Sequence, residues 1–306
     1  MMSPSERRKF LTGMAFISPW AVGFLVFCVY PLLSTACLSL TDYSVLSAPV
    51  YIGIGNYADL ASDRLFWQSI SNTLLFAAMS IPVGLVVSIS LAVLLSFKLP
   101  GRNLFRTIYF LPSLLPLVCL GVLWQWLLNG DIGLVNAVLA PVADGINRIA
   151  GTHFRPPNWL LDPAYTKPAL VIASTWTAGS AVVIYLAGLE DVPRQLYEAA
   201  EIDGAGIFRK LWHVTLPLIS PVIYFNGIMA LIGSMQVFAV PYVITQGTDG
   251  PDRSLMFVAT YIYRKAFDYL DMGYACAVGL ILFLLILGLT IAAHGLSRRY
   301  VHFDQK

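Results

Sequence analysis

Six long apolar runs, separated by shorter polar stretches, dominate the sequence. Each run has enough apolar residues to cross roughly 30 Å of hydrocarbon as a helix, which takes about 20 residues. None of the runs contains Asp, Glu, Lys or Arg. We therefore predict an all-α polytopic membrane protein with six transmembrane helices, at about 13–40, 69–97, 107–128, 168–189, 218–245 and 272–296.

The composition supports a membrane protein and no second domain. The 306 residues are 58% hydrophobic and only 12% charged, whereas a soluble domain carries about 25% charged residues. No repeat or linker divides the chain, so we treat residues 1–306 as one transmembrane domain. A cleaved signal peptide is the alternative for the first run, but the apolar part of a signal peptide is only about 7–15 residues long. We expect the first run to remain as a helix.

The distribution of basic residues predicts the orientation. The N-terminus, residues 98–106, residues 190–217 and the C-terminus together hold 12 of the 19 Lys and Arg residues. Loops rich in Lys and Arg stay in the cytoplasm. We therefore predict that both termini and residues 190–217 face the cytoplasm, and that the three alternate segments lie outside.

One of the outer segments also predicts regular structure. Residues 129–167 begin NGDIGLVNAVL, in which Asp131 could cap a helix. Ile132, Val135, Val138 and Leu139 would form its apolar face. We predict an amphipathic helix that lies on the outer membrane surface.

Several function classes lack their usual residues. A carrier coupled to an ion gradient usually has ionisable groups inside its bundle, and the six runs have none. The sequence has no GxxxxGK[ST] phosphate loop, and neither HExxH nor GxSxG occurs. We therefore expect no enzyme activity and no bound metal or cofactor. If the protein moves a solute uphill, a separate protein must hydrolyse ATP.

Residues 190–217 form a polar island between two apolar runs. Pro193 suits the first turn of a helix, where its missing N–H is not needed, and QLYEAAEID continues with good helix formers. Gly204 and Gly206 interrupt this helix, and IFRKLWHVT follows as a second helical piece. We predict two short helices joined by a glycine bend at the membrane face. Glu201 and Asp203 could offset the charges of Arg209 and Lys210.

The island resembles a known signature. Its pattern is EAA, three residues, Gly, nine residues, an aliphatic residue, one residue and then Leu-Pro. This resembles the signature loop of the membrane subunits of binding-protein-dependent ABC importers, with Val214 where the family more often has Ile. Further segments resemble the carbohydrate-uptake class, in particular the larger permease of the maltose-like systems without its extra spans and periplasmic insertion. They include IGIGNYADL, GRNLFRTIYFLP, PNWLLDP and IYLAGLEDVPRQLYEAAEIDGAG, and they extend over residues from about 15 to 290.

The resemblance implies a fold and a set of partners. The fold is that of a type I ABC importer permease in the lipid bilayer of a bacterial cytoplasmic (inner) membrane. The partners are a second homologous permease subunit, a cytoplasmic ATPase dimer that uses ATP and Mg²⁺, and an extracytoplasmic solute-binding protein, but no nucleic acid. Residues 190–217 would be the coupling loop. Its ATPase-docking residues would be Glu198, Ala199, Ala200, Asp203, Gly204, Ala205, Leu216 and Pro217.

A sugar or polyol needs hydrogen-bonding side chains and aromatic faces rather than charges. The resemblance implies a substrate path near the midplane, on the spans either side of the coupling loop. By region rather than by motif, this selects Trp176, Thr177, Ser180, Ser234 and Gln236. Helix packing is the alternative role for Ser and Thr. A gradient-driven secondary transporter, a membrane scaffold and an importer of glycerol phosphate-type solutes remain alternative functions.

Overall fold

The computed structural model describes residues 4–97, 100–153 and 155–298, and they are mostly helical. The chain divides into two compact units. One contains the described residues of Met1–Arg64 and Ile262–Leu284, and the other those of Leu65–Tyr261 and Leu285–Lys306. The helices are α1 Pro4–Phe24, α2 Tyr30–Leu38, α3 Gly55–Ser62, α4 Arg64–Ser96, α5 Arg102–Phe110, α6 Leu117–Leu127, α7 Leu134–Ala150, α8 Pro163–Trp176, α9 Gly179–Glu190, α10 Arg194–Ile202, α11 Ile207–Lys210, α12 Leu216–Leu218, α13 Ser220–Met235, α14 Ala239–Ile244, α15 Val258–Tyr263 and α16 Met272–Ser297.

Four stretches are long and apolar enough to span a membrane without a sharp bend. They are Ser5–Leu38, Arg64–Ser96, Ser220–Ile244 and Met272–Ser297. In the first stretch, a π-helical turn at Leu25–Val29 connects α1 to α2. These stretches overlap the first, second, fifth and sixth predicted spans.

The third and fourth predicted spans, 107–128 and 168–189, are each broken into two helices. The helix axis bends by 101° between Arg102–Leu114 and Leu117–Leu127. It bends by 51° between Pro163–Trp176 and Gly179–Glu190. Pro116 explains the first break, because a proline has no N–H to donate and disfavours helical backbone at the residue before it. The preceding Leu115 is indeed extended, with φ −72° and ψ 138°. If each bent pair crosses the membrane once, the described residues provide up to six spans.

The unit that contains Met1–Arg64 is held together by backbone and side-chain hydrogen bonds. Two short antiparallel strands, β1 Thr41–Asp42 and β2 Val50–Tyr51, follow α2. The Asn56 amide nitrogen donates to the carbonyl oxygens of Ser39 and Thr41, both at 2.9 Å. The Tyr274 hydroxyl donates to Asp63 Oδ2 at 2.6 Å. The Asn56 bonds tie α3 to the segment that follows α2, and the Tyr274 bond ties α16 to the end of α3.

Two apolar clusters organise the other unit. The first joins α4, α6 and α8 to the segment before α15, and in it the rings of Phe76 and Phe257 meet edge to face at 5.4 Å. The second joins the end of α4 to α9 through buried Ala92, Val182 and Tyr185. Together the clusters fix the position of the broken fourth span against α4, which is where the central cavity described below lies.

The predicted amphipathic helix is present as α7, but it begins and faces differently from the prediction. Asp131 does not cap it. α7 begins after Gly133 without a side-chain cap, and Asn129 Oδ1 accepts from the backbone N–H groups of Asp131 and Ile132 in the turn before it, at 2.9 and 3.1 Å. Ile132 and Val138 are exposed, whereas Val135 is partly buried and packs against the first apolar cluster. The predicted apolar face is therefore divided between a packed side and an exposed side.

Candidate functional site

Residues 190–217, the predicted coupling loop, contain the two helices that we expect from the sequence. α10 begins after Pro193 and ends at Ile202. α11 begins after Gly206 and continues through a π-helical turn at Leu211–Thr215. Leu216 and Pro217 start the short helix α12, which leads towards α13. The bend between α10 and α11 lies at residues 203–206.

Gly204 ends α10 in a geometry that other residues seldom adopt. Its φ is +73°, in the left-handed region. Its N–H donates to the Glu201 carbonyl at 3.0 Å, and the N–H of Ala205 donates to the Ala200 carbonyl at 2.8 Å. This is the Schellman arrangement, in which a left-handed residue just past the helix satisfies the last carbonyls. A Cβ at Gly204 would meet no atom within 4 Å, so glycine is required by the backbone conformation and not by space.

Two side-chain contacts hold α10 against the helical segment after the bend. Lys210 Nζ lies 2.6 Å from Glu201 Oε1, so Glu201 does offset Lys210 as predicted. The Tyr197 hydroxyl and Thr215 Oγ1 are 3.0 Å apart. The bend is thus closed at one point by an ion pair and at another by a hydrogen bond.

The tip of the loop presents small, acidic and apolar groups. Glu198, Ala199, Asp203 and Gly204 are exposed, whereas Ala200, Ala205, Leu216 and Pro217 are half-buried. Two apolar side chains that the sequence prediction missed are also highly exposed: Ile202 is 87% exposed and Phe208 79%. Exposed apolar side chains rimmed by polar residues are typical of a protein-interaction surface.

A second candidate site is a cavity of about 630 Å³ between α4, the broken fourth span and α13. Ligand cavities commonly measure about 300–1,000 Å³. Of the predicted path residues, Thr177, Ser180 and Ser234 line this central cavity, and Trp176 and Gln236 do not. Further polar residues that the sequence prediction did not select also line it: Ser80, Ser88, Ser174, Thr175, Tyr185 and Asn226.

The other two predicted path residues lie at breaks in the helices. Trp176 is the last residue of α8 and lines a smaller space of about 290 Å³. Its ring meets that of Trp124 edge to face, with 5.7 Å between the ring centroids. Gln236 is exposed and follows α13, where the helix is interrupted before α14.

The central cavity is lined by uncharged hydrogen-bonding groups. Thr177 Oγ1 donates to the Ser174 carbonyl at 2.9 Å, and Ser234 Oγ donates to the Leu231 carbonyl at 3.0 Å. A hydroxyl that donates to its own helix keeps its oxygen free to accept. Among the described lining residues, none is Asp, Glu, Lys or Arg, and Ser80 Oγ has no hydrogen-bond partner in the described part of the chain. The cavity suits a neutral ligand that carries hydroxyl groups.

Gly179 sets the shape of the cavity wall. It is the first residue of α9, immediately after the break in the fourth span. A Cβ at this position would collide with the Tyr109 carbonyl oxygen and would lie 2.8 Å from the Phe110 Cα. Only glycine lets α9 come this close to the end of α5.

The chain is similar to transport proteins over nearly its whole length. It is 33% identical to the lactose transport system permease protein LacF of Rhizobium radiobacter, with 93% of each chain covered. It is 32% identical to the trehalose/maltose transport system permease protein MalF of Thermococcus litoralis, with 95% of each covered. It is also 32% identical to the probable ABC transporter permease protein YesP of Bacillus subtilis, over 99% of this chain and 96% of that protein.

The fold has a counterpart among solved structures. A chain of a bacterial ABC transporter involved in the import of the acidic polysaccharide alginate superposes with a TM-score of 0.81, at 24% identity and over 97% of this chain and 98% of that one. The profile of the binding-protein-dependent transport system inner membrane component matches residues 80–302. The chain therefore belongs to the family of inner membrane components of binding-protein-dependent transport systems.

Proposed function

We propose that this chain is a permease subunit of an ATP-driven ABC importer and forms the translocation path for a sugar or related polyol. The observation that carries the proposal is the central cavity, which is large enough for a sugar and lined by hydroxyl and amide groups without any charge among its described residues. Relatives named for lactose and for trehalose/maltose transport support this substrate class. The described residues that line this cavity include none of the Asp, Glu, Lys or Arg side chains on which a gradient-driven carrier usually depends.

The proposed topology has six spans, with each bent helix pair crossing the membrane once. Both termini and the coupling loop lie in the cytoplasm of a bacterial cell, and the protein resides in the inner membrane. The excess of Lys and Arg in the N-terminus, the C-terminus and the two loops at 98–106 and 190–217 supports this orientation.

The proposed assembly contains a second homologous permease subunit, a cytoplasmic ATPase dimer and an extracytoplasmic solute-binding protein. The ATPase uses ATP and Mg²⁺, and this chain binds no cofactor. Glu198, Ala199 and Ala200 contact the ATPase, since the first two are exposed at the tip and small side chains permit close approach. ATP-driven closure of the ATPase dimer pushes the two coupling loops together and turns the cavity outward, and hydrolysis resets it.

The proposed substrate path includes Thr177, Ser180 and Ser234 in the central cavity. Trp176 and Gln236 belong to its continuation, at the breaks after α8 and α13. A sugar ring would exchange its hydrogen bonds with water for bonds to these uncharged groups. This arrangement also provides an aromatic face at Trp176, on which an apolar sugar face can rest.

The experiment that tests this function is ATP hydrolysis by the chain co-purified with its partner permease and ATPase in nanodiscs. We expect the solute-binding protein loaded with one neutral sugar to stimulate hydrolysis, and Glu198→Lys to abolish the stimulation. Uptake that follows a proton or sodium gradient and persists without the ATPase would contradict the proposal. A requirement for a glycerol phosphate-type solute instead of a neutral sugar would refute the substrate class but not the importer.

The cavity hydroxyls provide a separate prediction. We expect Thr177→Val to raise the sugar concentration for half-maximal transport about fivefold, because one hydrogen bond contributes about 0.5–1.5 kcal/mol and valine has nearly the shape of threonine. The control is Thr107→Val, since the Thr107 hydroxyl also donates to its own helix, to the Asn103 carbonyl at 3.0 Å, but Thr107 is not among the described residues that line the central cavity. Equal effects of the two substitutions in a sugar titration would exclude a substrate role for Thr177.

A further inference from the structure

A third cavity lies behind the coupling loop and shares no lining residue with the central cavity. It is open on one side, measures about 1290 Å³ and is bordered by the end of α4, the start of α5, the end of α9, and α10 and α11. The exposed tip residues Glu198, Ile202 and Phe208 do not line it. The surface that we propose for ATPase docking therefore leaves this rear cavity for another occupant.

The rear cavity has an excess of positive charge. Its described lining includes four charged residues: Arg102, Glu190, Arg194 and Lys210. Two of them are neutralised, because Lys210 pairs with Glu201 at 2.6 Å and Glu190 pairs with Arg106 at 3.0 Å. Arg102 and Arg194 make no ion pair within the described residues. The occupant should therefore carry negative charge.

The walls of the rear cavity are apolar on the side of the spans. Val93, Phe97 and Leu189 line it where α4 and α9 end. Since α4 and α9 are parts of membrane spans, the cavity lies where the hydrocarbon gives way to the headgroups. Trp212, in the same loop, is 66% exposed, and tryptophan is enriched at this level of the membrane. An occupant with an acyl chain and an anionic head matches both the walls and the charges.

We propose that the rear cavity binds the headgroup of an anionic phospholipid, with its phosphate at Arg102 and Arg194. The inference rests on the proposed orientation, which places this end of the bundle at the cytoplasmic leaflet. That leaflet carries anionic lipids, and basic pockets between spans bind their headgroups. The bound lipid contacts Arg194 and Tyr197 of α10 and Ile207 of α11. It therefore joins the two helices of the coupling loop to the ends of the spans.

Native mass spectrometry of the delipidated full chain tests the site, with phosphatidylglycerol and phosphatidylcholine of identical acyl chains as probes. We expect clear preference for phosphatidylglycerol. The double substitution Arg102→Gln and Arg194→Gln should weaken phosphatidylglycerol binding about thirtyfold, since each basic residue near an anionic surface contributes about 1 kcal/mol. Phosphatidylcholine binding should not change. The double substitution Arg102→Lys and Arg194→Lys should keep the preference for phosphatidylglycerol, because it keeps both positive charges. This result would show that the weaker binding of the Gln variant comes from lost charge and not from misfolding.

The matched control is Arg148→Gln with Arg209→Gln, which removes the same charge from exposed positions outside the rear cavity. Equal binding of the two lipids, or an equal loss in the control, would overturn the proposal. Displacement of the lipid by millimolar inorganic phosphate would assign the site to a soluble phosphate instead. The assay uses no ATPase, binding protein or sugar, so its outcome is independent of whether the chain proves to be a sugar importer.

Discussion

We expect Gly204→Ser to lower the stimulated ATP hydrolysis of the assembled importer about tenfold. Gly204 has a φ of +73°, and a residue with a Cβ costs about 1–2 kcal/mol in this region of the backbone. The loop escapes the strain by unwinding the end of α10, which breaks the bonds from Gly204 and Ala205 to the carbonyls of Glu201 and Ala200. Glu198 and Ala199 then lose the fixed position that docking requires.

The control is Gly206→Ser, the same substitution two residues further along the chain. Gly206 has ordinary extended backbone, with φ −68° and ψ 171°, and it precedes the first residue of α11. Serine is favoured at this capping position, and a Cβ at either glycine meets open space. ATPase assays in nanodiscs should show near wild-type stimulation for Gly206→Ser. If the two variants lose stimulation equally, the left-handed turn is not what positions the loop.

We expect Gly179→Ala to lower the melting temperature of the purified protein by about 5 °C. The new methyl group would collide with the Tyr109 carbonyl oxygen and press on the Phe110 Cα at 2.8 Å. Backbone atoms cannot swing aside as side chains do, and overpacking of this kind costs about 1–3 kcal/mol. The substitution should also impair transport, because α9 must move away from α5 and the cavity wall moves with it.

Gly227→Ala is the matched control for that experiment. Gly227 lies inside α13, and a Cβ there meets no atom within 4 Å. Since alanine favours a helix over glycine by about 1 kcal/mol, the melting temperature should stay the same or rise slightly. Thermal unfolding followed by intrinsic fluorescence in the same detergent measures both. A Gly179→Ala protein as stable as wild type would show that α9 and α5 tolerate a wider separation.

The spans were predictable because bilayer thickness sets their length, but the breaks in them were not. A hydropathy pattern does not reveal a break in a helix when the residues on both sides are apolar, as in the predicted spans 107–128 and 168–189. Pro116 gave a local sign of the first break. The break after Trp176 has no proline, and Gly179 beside it lies against the backbone of the distant Tyr109 and Phe110. A contact across 70 residues of sequence leaves no periodic signal.

The two candidate sites also differ in how far the sequence predicts them. The coupling loop was predictable because its bend depends on local residues, Pro193 and Gly204, whose backbone preferences are intrinsic. The central cavity depends on how three spans face one another. Ser80 and Ser88 of α4 line it, but a serine in an apolar helix has the same appearance whether it faces a cavity or a neighbouring helix. The same lack of spatial information led to the selection of Gln236, which lies outside the cavity.

The break in the fourth span lies between two cavities and forms part of the wall of each. Thr175 and Ala178 line both the central cavity and the smaller space beside Trp124. At this level a single turn of chain separates the two spaces, so any movement of the turn that enlarges one takes room from the other. The volumes of the two spaces therefore change in opposite directions when the turn moves. A bulky substitution at Ala178 would close room in both at once, without touching any group that binds the substrate.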